Sequence, residues 1–315
     1  MSRPGPARPV VVGLLLAGLL AVGSACDSDT ASRIVDKVLP HAACEAKITR
    51  SNVGPLVDPD LEELSGVAAS TRNPGILWVH NDSGDSPRIF ALDADGSTVG
   101  TYTLDGATAV DWEDIARGPG PEADTSYLSV GDIGDNAAAR DDVVVYRVAE
   151  PKVAGDAGAV NLDDAAPLHL RYPDGAHDAE SLMVDPQTGE LFIVAKVVSG
   201  GAVGVYRAPA NLAADSTTTL ERVGTLSLPG GLPNAVTAAD ISPDGSKIAV
   251  RTYGAVLLWD RKAGTPIATV LERTPCRGPV PLEIQGEAVG FRADSDGYVT
   301  VSEGANPTLH EFRFR

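Results

Sequence analysis

The chain has 315 residues, 43% of them hydrophobic, and a formal net charge of −18. A chain of this length and composition can bury a full core, and nothing in it indicates a second globular unit. The negative charge argues against a nucleic-acid-binding protein, because neutralising phosphates requires cationic side chains, and against spreading on an anionic membrane.

The first 25 residues have the pattern of a secretory signal. Arg3 and Arg8 precede a 13-residue apolar run from Val10 to Val22, which is too short to span a bilayer. The Gly-Ser-Ala-Cys sequence that ends at Cys26 resembles the lipobox of bacterial lipoproteins, in which a peptidase cuts before a cysteine that becomes acylated. We predict export and a lipid anchor at Cys26 on the outer face of the cytoplasmic membrane, with secretion without a lipid as the alternative. Residues 26–43 are then an acidic, solvated tether.

Residues 44–315 are expected to form the folded domain, and their sequence repeats. Three similar segments open on a glutamate, and two further copies fit the same frame. The five copies begin at Ser65, Glu113, Glu180, Thr237 and Glu287. Successive copies are 48, 67, 57 and 50 residues apart, and a period of about fifty residues is typical of β-propeller blades.

Each copy has the signals of consecutive antiparallel strands. Apolar residues at every second place predict a first strand that is buried on one face. Four copies then carry turn sequences in which Gly, Pro or Asp favours the bend, beginning at Asn73, Asp185, Ser242 and Asp294. Second strands are predicted from Ile76, Tyr127, Leu191, Ile248 and Tyr298, and third strands from Arg88, Val143, Val203, Val256 and Leu309.

The last unit ends at Arg315 after three strands, whereas propeller blades usually have four. The strand-like segment Cys44–Arg50 precedes the first blade, and we predict that it supplies the missing outer strand and closes the ring. The sequence thus predicts an all-β propeller of five blades. Six blades are the alternative, with the extra blade between Glu113 and Glu180, although residues 151–167 have the composition of a Gly/Ala/Asp loop. A closed ring exposes no sheet edge, so a monomer is expected.

Two cysteines remain after Cys26, and in an oxidising compartment Cys44 and Cys276 are expected to form a disulfide. Cys44 lies on the predicted closing strand, and Cys276 lies in the predicted loop that leads into the last blade. The bond is therefore expected within a single blade.

Acidic residues that are distant in sequence are expected to meet at one mouth of the propeller channel. The first strand of each blade lines the channel, and its start lies on the same face as the loop between the second and third strands. The predicted metal ligands are acids at or just before these strand starts: Asp111, Glu113, Asp178, Glu180 and Glu287. The residues predicted to bind a ligand come from the loops: Asp82, Asp132, Lys196, Arg251 and Glu303.

Several carboxylates around one axis repel each other unless they are protonated, paired or bridged by a cation. Two loops share the sequence Asp-X-Gly-Asp, at Asp82–Asp85 and Asp132–Asp135, and glycine permits a tight path that turns both carboxylates the same way. Ca²⁺ takes six to eight oxygen ligands and suits such a mouth better than zinc, because the histidines lack ligand spacing. A structural network with Lys196 and Arg251, or a pocket without metal, are the alternatives.

An acidic, exported propeller with acids at its mouth and with Lys196 and Arg251 in its loops resembles the β-propeller phytases and their esterase-like relatives. It is more distantly similar to gluconolactonase-type propellers with a metal on the axis. The resemblance covers residues 60–315 and lies in the architecture; the Asp-Asp-Pro-Ala segment of phytases is absent. It implies Ca²⁺-dependent hydrolysis of phosphoesters, with Lys196 and Arg251 holding the phosphoryl oxygens and with Glu180 or His177 as the base.

No catalytic signature in the sequence is complete, and a Gly-X-Ser-X-Gly motif is absent. We therefore predict a binding or scaffold module that presents its acidic mouth, with a cation, to a ligand or partner in the cell envelope. A metal-dependent hydrolase of phosphoesters, esters or lactones is the alternative.

Overall fold

The computed structural model describes residues 42–315 except 156–157, 199–201, 215, 227, 229–234 and 284. Its strands in chain order are β1 (Ile48–Pro55), β2 (Leu64–Ala69), β3 (Leu77–Asn81), β4 (Arg88–Leu92), β5 (Thr98–Leu104), β6 (Trp112–Pro119), β7 (Ser126–Asp132), β8 (Val143–Ala149), β9 (Ala159–Leu162), β10 (Ala166–Arg171), β11 (Ala179–Val184), β12 (Leu191–Ala195), β13 (Val203–Ala208), β14 (Thr218–Thr219), β15 (Glu221–Leu226), β16 (Val236–Ile241), β17 (Lys247–Thr252), β18 (Ala255–Asp260), β19 (Cys276–Gly278), β20 (Gly286–Phe291), β21 (Gly297–Ser302) and β22 (Thr308–Phe314). One short helix, α1 (Ile267–Leu271), lies between β18 and β19.

The strands form five sheets, and each sheet is one blade. Blade 1 contains β2, β3, β4, β5 and β9; blade 2 contains β6, β7, β8, β10 and β14; blade 3 contains β11, β12, β13 and β15; blade 4 contains β16 to β19; and blade 5 contains β20, β21, β22 and β1. The first strands of the blades, β2, β6, β11, β16 and β20, each contact the first strands of both neighbouring blades, so the sheets close into a ring. The predicted five-bladed, all-β propeller is confirmed.

The ring is closed by pairing between the two ends of the folded domain, as predicted. Strand β1 pairs antiparallel with β22, in a register that places Ile48 opposite Phe314 and Pro55 opposite Thr308. The closing strand begins at Ile48 rather than at Cys44, because the preceding residues form a turn. The backbone N–H of Ala43 donates a hydrogen bond to the Asp260 carboxylate over 2.6 Å, which fastens that turn to blade 4.

The predicted disulfide between Cys44 and Cys276 is present, with 5.5 Å between the two Cα atoms. Cys276 begins β19, which pairs with β18 at the outer edge of blade 4. The bond therefore links blade 4 to the turn that precedes β1, the outer strand of blade 5. The expectation that both cysteines belong to one blade was wrong. The reason is that, after α1, the chain first returns to pair with β18 and only then enters blade 5.

Residues 151–167 are not wholly a loop, since β9 adds a fifth, parallel strand to blade 1 by pairing with β5. The next strand, β10, pairs antiparallel with β8 and belongs to blade 2. The long spacing between the second and third repeats thus supplies outer strands to two existing blades. No sixth blade is formed by the residues that the structure describes.

The core consists of five apolar clusters, and each cluster lies between two adjacent blades. Trp78 and Trp112 are buried between blades 1 and 2, and Trp259 is buried between blades 3 and 4, so the three tryptophans pack between sheets. Because the apolar side chains fill the spaces between the sheets, the two ends of the channel are left to polar residues.

The predicted signal at residues 1–25, the lipid-anchored Cys26 and most of the tether at residues 26–43 lie outside the described residues. In the part of the chain that the structure describes, no helix combines the length and the hydropathy that crossing a bilayer requires.

Candidate cation site at the channel mouth

Every first strand contains a β-bulge, and the bulged residue occupies the same place in all five blades. The strand register skips one residue opposite the second strand of each blade, and the skipped residues are Ser65, Glu113, Glu180, Thr237 and Glu287. We call these five residues the bulge ring. A bulge leaves its extra residue out of the hydrogen-bond ladder and re-aims its side chain. The residues that open the sequence repeats are therefore the bulged residues of the first strands, one in each blade.

The members of the bulge ring have two different roles. The hydroxyl of Ser65 donates to the backbone oxygen of Glu113 in the next blade, and the hydroxyl of Thr237 lies 3.0 Å from the backbone oxygens of Gly286 and Glu287. Ser65 and Thr237 thus fasten neighbouring blades to each other. The three glutamates carry carboxylates at the mouth instead.

A second ring is formed by the residue that follows the second strand of each blade. Its members are Asp82, Ile133, Lys196, Tyr253 and Glu303, as the strand registers show. We call these residues the loop ring. The expectation that Arg251 and Lys196 occupy equivalent places was wrong, because β17 continues through Thr252 and Tyr253 takes the place of Lys196. By the same comparison, Asp132 is the last residue of β7 and corresponds to Asn81, the last residue of β3. Asp82 and Asp132 therefore occupy positions that differ by one residue.

Three carboxylates come together between blades 1 and 2. Asp82 of the loop ring, Asp111 just before β6 and Glu113 of the bulge ring each offer an oxygen, and these oxygens all lie within 4.8 Å of one another. We call these three residues the acidic cluster. Gly134 permits this approach, because a Cβ at that position would overlap the carboxylates of both Asp111 and Glu113. The Gly134 N–H also donates to the backbone oxygen of Asp111 over 3.2 Å, which holds the two loops together.

Glu113 is the most unusual member of the acidic cluster, because its side chain is only 3% exposed and lacks a protein partner. Its carboxylate makes no hydrogen bond or ion pair with any residue that the structure describes. Burial raises the pKa of Glu113 to about 10, and the charges of Asp82 and Asp111 act in the same direction. Burial also raises the pKa of Asp82 to about 6. Without a cation, the cluster thus disfavours ionised carboxylates.

The side of the mouth formed by blades 3 and 4 contains a cation of its own. The ammonium group of Lys196 pairs with the Glu180 carboxylate, and the Lys196 side chain is 10% exposed. The same ammonium lies 5.7 Å from the centre of the Tyr253 ring, within the range of a cation–π contact. Burial raises the pKa of Glu287 to about 7, and the charge of Lys196 opposes this rise.

Two of the other predicted mouth residues are already bonded to protein groups. Asp178 accepts a 2.9 Å hydrogen bond from the N–H of Asp135, although its charge still acts on Glu113. Glu303 accepts a hydrogen bond from the Gln285 side chain. Both lie near the acidic cluster without belonging to it.

Arg251 is fully buried and does not face the mouth. Its guanidinium donates to the backbone oxygens of Ala288 over 2.6 Å and Val301 over 3.0 Å, and it pairs with Glu283. Gly286 leaves room for it, because a Cβ there would overlap the guanidinium. Arg251 therefore joins blades 4 and 5 through its two terminal nitrogens, whereas its buried Nε has no hydrogen-bond partner among the described residues.

Asp132 and His177 also make contacts other than those expected of ligand-binding and catalytic groups. The Asp132 carboxylate pairs with Arg140 over 2.7 Å and accepts the N–H of Asp111 over 3.2 Å, so it positions the segment that carries a cluster residue. The Nε2 atom of His177 lies 2.9 Å from the Asp174 carboxylate and 2.8 Å from the Tyr206 hydroxyl, in a partly exposed group on blade 3.

The residue that follows Glu113 bonds to two other blades. The Asp114 carboxylate accepts the N–H of Leu182 in β11 over 2.9 Å and the N–H of Ala239 in β16 over 3.2 Å. Strand β16 is not adjacent to β6 in the ring, so this side chain crosses the channel. Small residues at the equivalent places leave room for it, namely Gly66, Ser181, Ala238 and Ala288. The Asp114 side chain therefore lies across the channel below the acidic cluster.

Sequence reasoning missed Gly134, Arg140 and Asp114, which shape the site without lying in the predicted set of ligands. Gly134 belongs to the Asp-X-Gly-Asp sequence, and that sequence was the one available signal. Asp114 follows a repeat residue but has no counterpart in the other blades, so the repeat itself gives no indication of its role.

The fold and the site define a five-bladed propeller with an acidic channel mouth. A comparison with known protein families found no family that matches the chain, and a comparison with curated proteins found no match. The propeller architecture is thus confirmed, whereas the resemblance to β-propeller phytases and its functional implications stay predictions.

Proposed function

We propose that this propeller is a binding module that holds a hard divalent cation, Ca²⁺ foremost, between Asp82, Asp111 and Glu113 at the channel mouth. The observation that carries the proposal is the Glu113 carboxylate, which is buried beside two further carboxylates and has no partner among the described residues. A buried carboxylate without a partner is costly, and a bound cation removes that cost.

The spacing of the acidic cluster suits Ca²⁺. Oxygen ligands lie about 2.3 to 2.6 Å from this ion, so oxygens on opposite sides of its shell are separated by about 4.6 to 5.2 Å. The three carboxylate oxygens lie within 4.8 Å of one another, which fits one shared coordination shell. Three carboxylates supply at most six oxygens, and Ca²⁺ takes six to eight, so positions on the open side remain for water or for oxygen atoms of a ligand.

We further propose that the ligand is a small, oxygen-bearing molecule of the cell envelope. The Asp114 side chain crosses the channel below the acidic cluster, so the ligand would enter and leave on the side of the cation. The hydrolase alternative has less support. It relied on two cationic side chains to hold a phosphoryl group, and Arg251 is bound to Glu283 and two backbone oxygens instead.

Export and a lipid anchor at Cys26 remain part of the proposal. The disulfide between Cys44 and Cys276 supports export, because disulfides persist mainly in oxidising compartments. Metabolic labelling with a fatty acid tests the anchor: label is expected on the native chain and absent from the Cys26→Ser variant. Equal labelling of the two chains would argue against acylation at Cys26.

The cation site is tested by calorimetric titration and thermal unfolding with Ca²⁺. At a concentration 100 times the dissociation constant, a bound ion stabilises the fold by about 2.7 kcal/mol, which raises the Tm of a domain of this size by roughly 5 to 10 °C. Glu113→Gln is expected to abolish the heat of binding and the shift. Glu303→Gln removes the same charge from the same mouth and is expected to retain both. An unchanged Tm of the native chain in millimolar Ca²⁺ would refute the proposal.

A further inference from the structure

Equivalent positions of the loop ring carry opposite charges on the two sides of the mouth. In the loop ring, blade 1 contributes Asp82 and blade 3 contributes Lys196. In the bulge ring, blade 2 contributes Glu113 and blade 3 contributes Glu180. The side with Asp82 gathers carboxylates that have no cation within ion-pair distance among the described residues, whereas the other side has Lys196 paired with Glu180.

The Lys196 ammonium is the cation that the structure places beside the Glu180 carboxylate. It is nearly buried, it pairs with one oxygen of Glu180, and the Tyr253 ring lies 5.7 Å from it. Its charge also acts on Glu287 and Glu303 across the mouth. A single ammonium does not satisfy Glu180 fully, because the second oxygen of this carboxylate is buried and has no hydrogen-bond partner among the described residues.

We infer that Lys196 is a built-in cation that occupies a second divalent-cation place beside Glu180, and that it limits the native mouth to one bound metal ion. An ammonium carries one charge on a flexible stem, whereas a divalent ion can be shared by several carboxylates. The change Lys196→Met removes the ammonium and keeps a side chain of similar length. It is therefore expected to open a site for a hard divalent cation. The count of one ion in the native chain rests on the proposed function, but the place beside Glu180 does not.

The test uses Ca²⁺ as the probe and the Glu113→Gln variant as the background, so that the acidic cluster no longer contributes. Glu113→Gln alone is expected to show no Ca²⁺-dependent change in Tm. Glu113→Gln with Lys196→Met is expected to gain a Ca²⁺-dependent rise in Tm of roughly 5 °C or more at saturation. Adding Glu180→Gln as a third change is expected to remove the gain, and Lys196→Arg in place of Lys196→Met is expected to show none.

Equilibrium dialysis of the full-length chain gives the stoichiometry. The native chain is expected to hold one Ca²⁺ and Lys196→Met two. If the native chain binds none while Glu113→Gln with Lys196→Met binds one, the proposed function fails and the place beside Glu180 stands. If that double variant shows neither uptake nor a rise in Tm, the inference about Lys196 is overturned, whatever the native chain does.

The Lys196→Met change could also prevent folding, because it leaves Glu180 without its cation. Refolding is then compared in Ca²⁺ and in Na⁺ at equal ionic strength. Recovery in Ca²⁺ alone supports the inference. If the Lys196→Met variant refolds in neither salt, the inference is overturned, because the divalent ion was then unable to replace the ammonium. This holds whether or not the variant with both Lys196→Met and Glu180→Gln folds.

Discussion

Reduction of the disulfide between Cys44 and Cys276 is expected to destabilise the fold strongly while leaving its architecture intact. The two cysteines are 232 residues apart in sequence. In the chain-entropy account, a crosslink that closes a loop of this size lowers the entropy of the unfolded chain enough to stabilise the fold by roughly 5 kcal/mol at 25 °C. Cys44 is exposed, so a small reductant can reach the bond.

The native ring does not depend on the bond for its closure. Strand β1 pairs with β22 along its length, and the Asp260 carboxylate accepts the N–H groups of Ala43 and Cys44 over 2.6 and 3.1 Å. Reduction should therefore act mainly on the unfolded chain. The far-ultraviolet circular dichroism of the folded protein and its Ca²⁺ titration are expected to stay unchanged.

Urea unfolding with and without reductant measures the effect. For a domain of this size an m-value of about 3 kcal/mol/M is expected, so the midpoint should fall by roughly 1.5 to 2 M on reduction. The Cys44→Ala, Cys276→Ala double variant should unfold at the midpoint of the reduced native chain, and reductant should not shift it further. A loss of stability below about 1 kcal/mol would refute the entropic reasoning, and loss of strand signal on reduction would refute the claim that pairing closes the ring.

Three further changes probe the site and the blade contacts. Gly134→Ala places a methyl group against two carboxylates of the acidic cluster, so calorimetry should show Ca²⁺ affinity lower by about tenfold or more, equivalent to roughly 1.4 kcal/mol. Asp185→Asn breaks a buried, two-bonded ion pair with Arg261, at 2.9 and 2.8 Å, and should cost about 3 to 5 kcal/mol of unfolding free energy in urea; a loss below 1 kcal/mol would contradict this. Burial raises the pKa of Asp240 to about 7, so the native state holds this proton to higher pH than the unfolded chain does. Stability should then be lost as the pH rises from about 4 to about 7, on the order of 4 kcal/mol more in the native chain than in Asp240→Asn, and equal pH profiles of the two would contradict the assignment.

The repeat made the propeller predictable from the sequence because each copy carries a bulge residue, a turn and an apolar strand at matching places. The short parallel strands β9 and β14 were not predictable. Strand β14 has only two residues, and both strands are defined by the blade edge on which they pack rather than by a pattern of their own. The closing strand was found, but its start was set four residues early, since the turn at Cys44 depends on an acceptor in blade 4, Asp260.

The candidate site was predictable in outline and not in detail, for a reason of register. Whether Arg251 or Tyr253 stands at the mouth depends on where β17 ends, and β-forming residues continue through that point in the sequence. His177 adjoins Asp178 in sequence, but its imidazole contacts Asp174 and Tyr206. The places of Glu113 and Lys196 at the mouth were indicated by the repeat, because they are fixed by the bulge and by the end of a strand.

The bulge ring limits how such a mouth can diversify. Because the ladder passes over these five residues, the sheets do not constrain their side chains, and charge can be exchanged there at little cost to strand pairing. Two of the places are nevertheless held by Ser65 and Thr237, whose hydroxyls tie adjoining blades together. Replacing either residue with a fourth acid would add negative charge at the mouth and would also remove a hydrogen bond between adjoining blades. The number of acids around this axis is thus limited by the contacts that hold adjoining blades together.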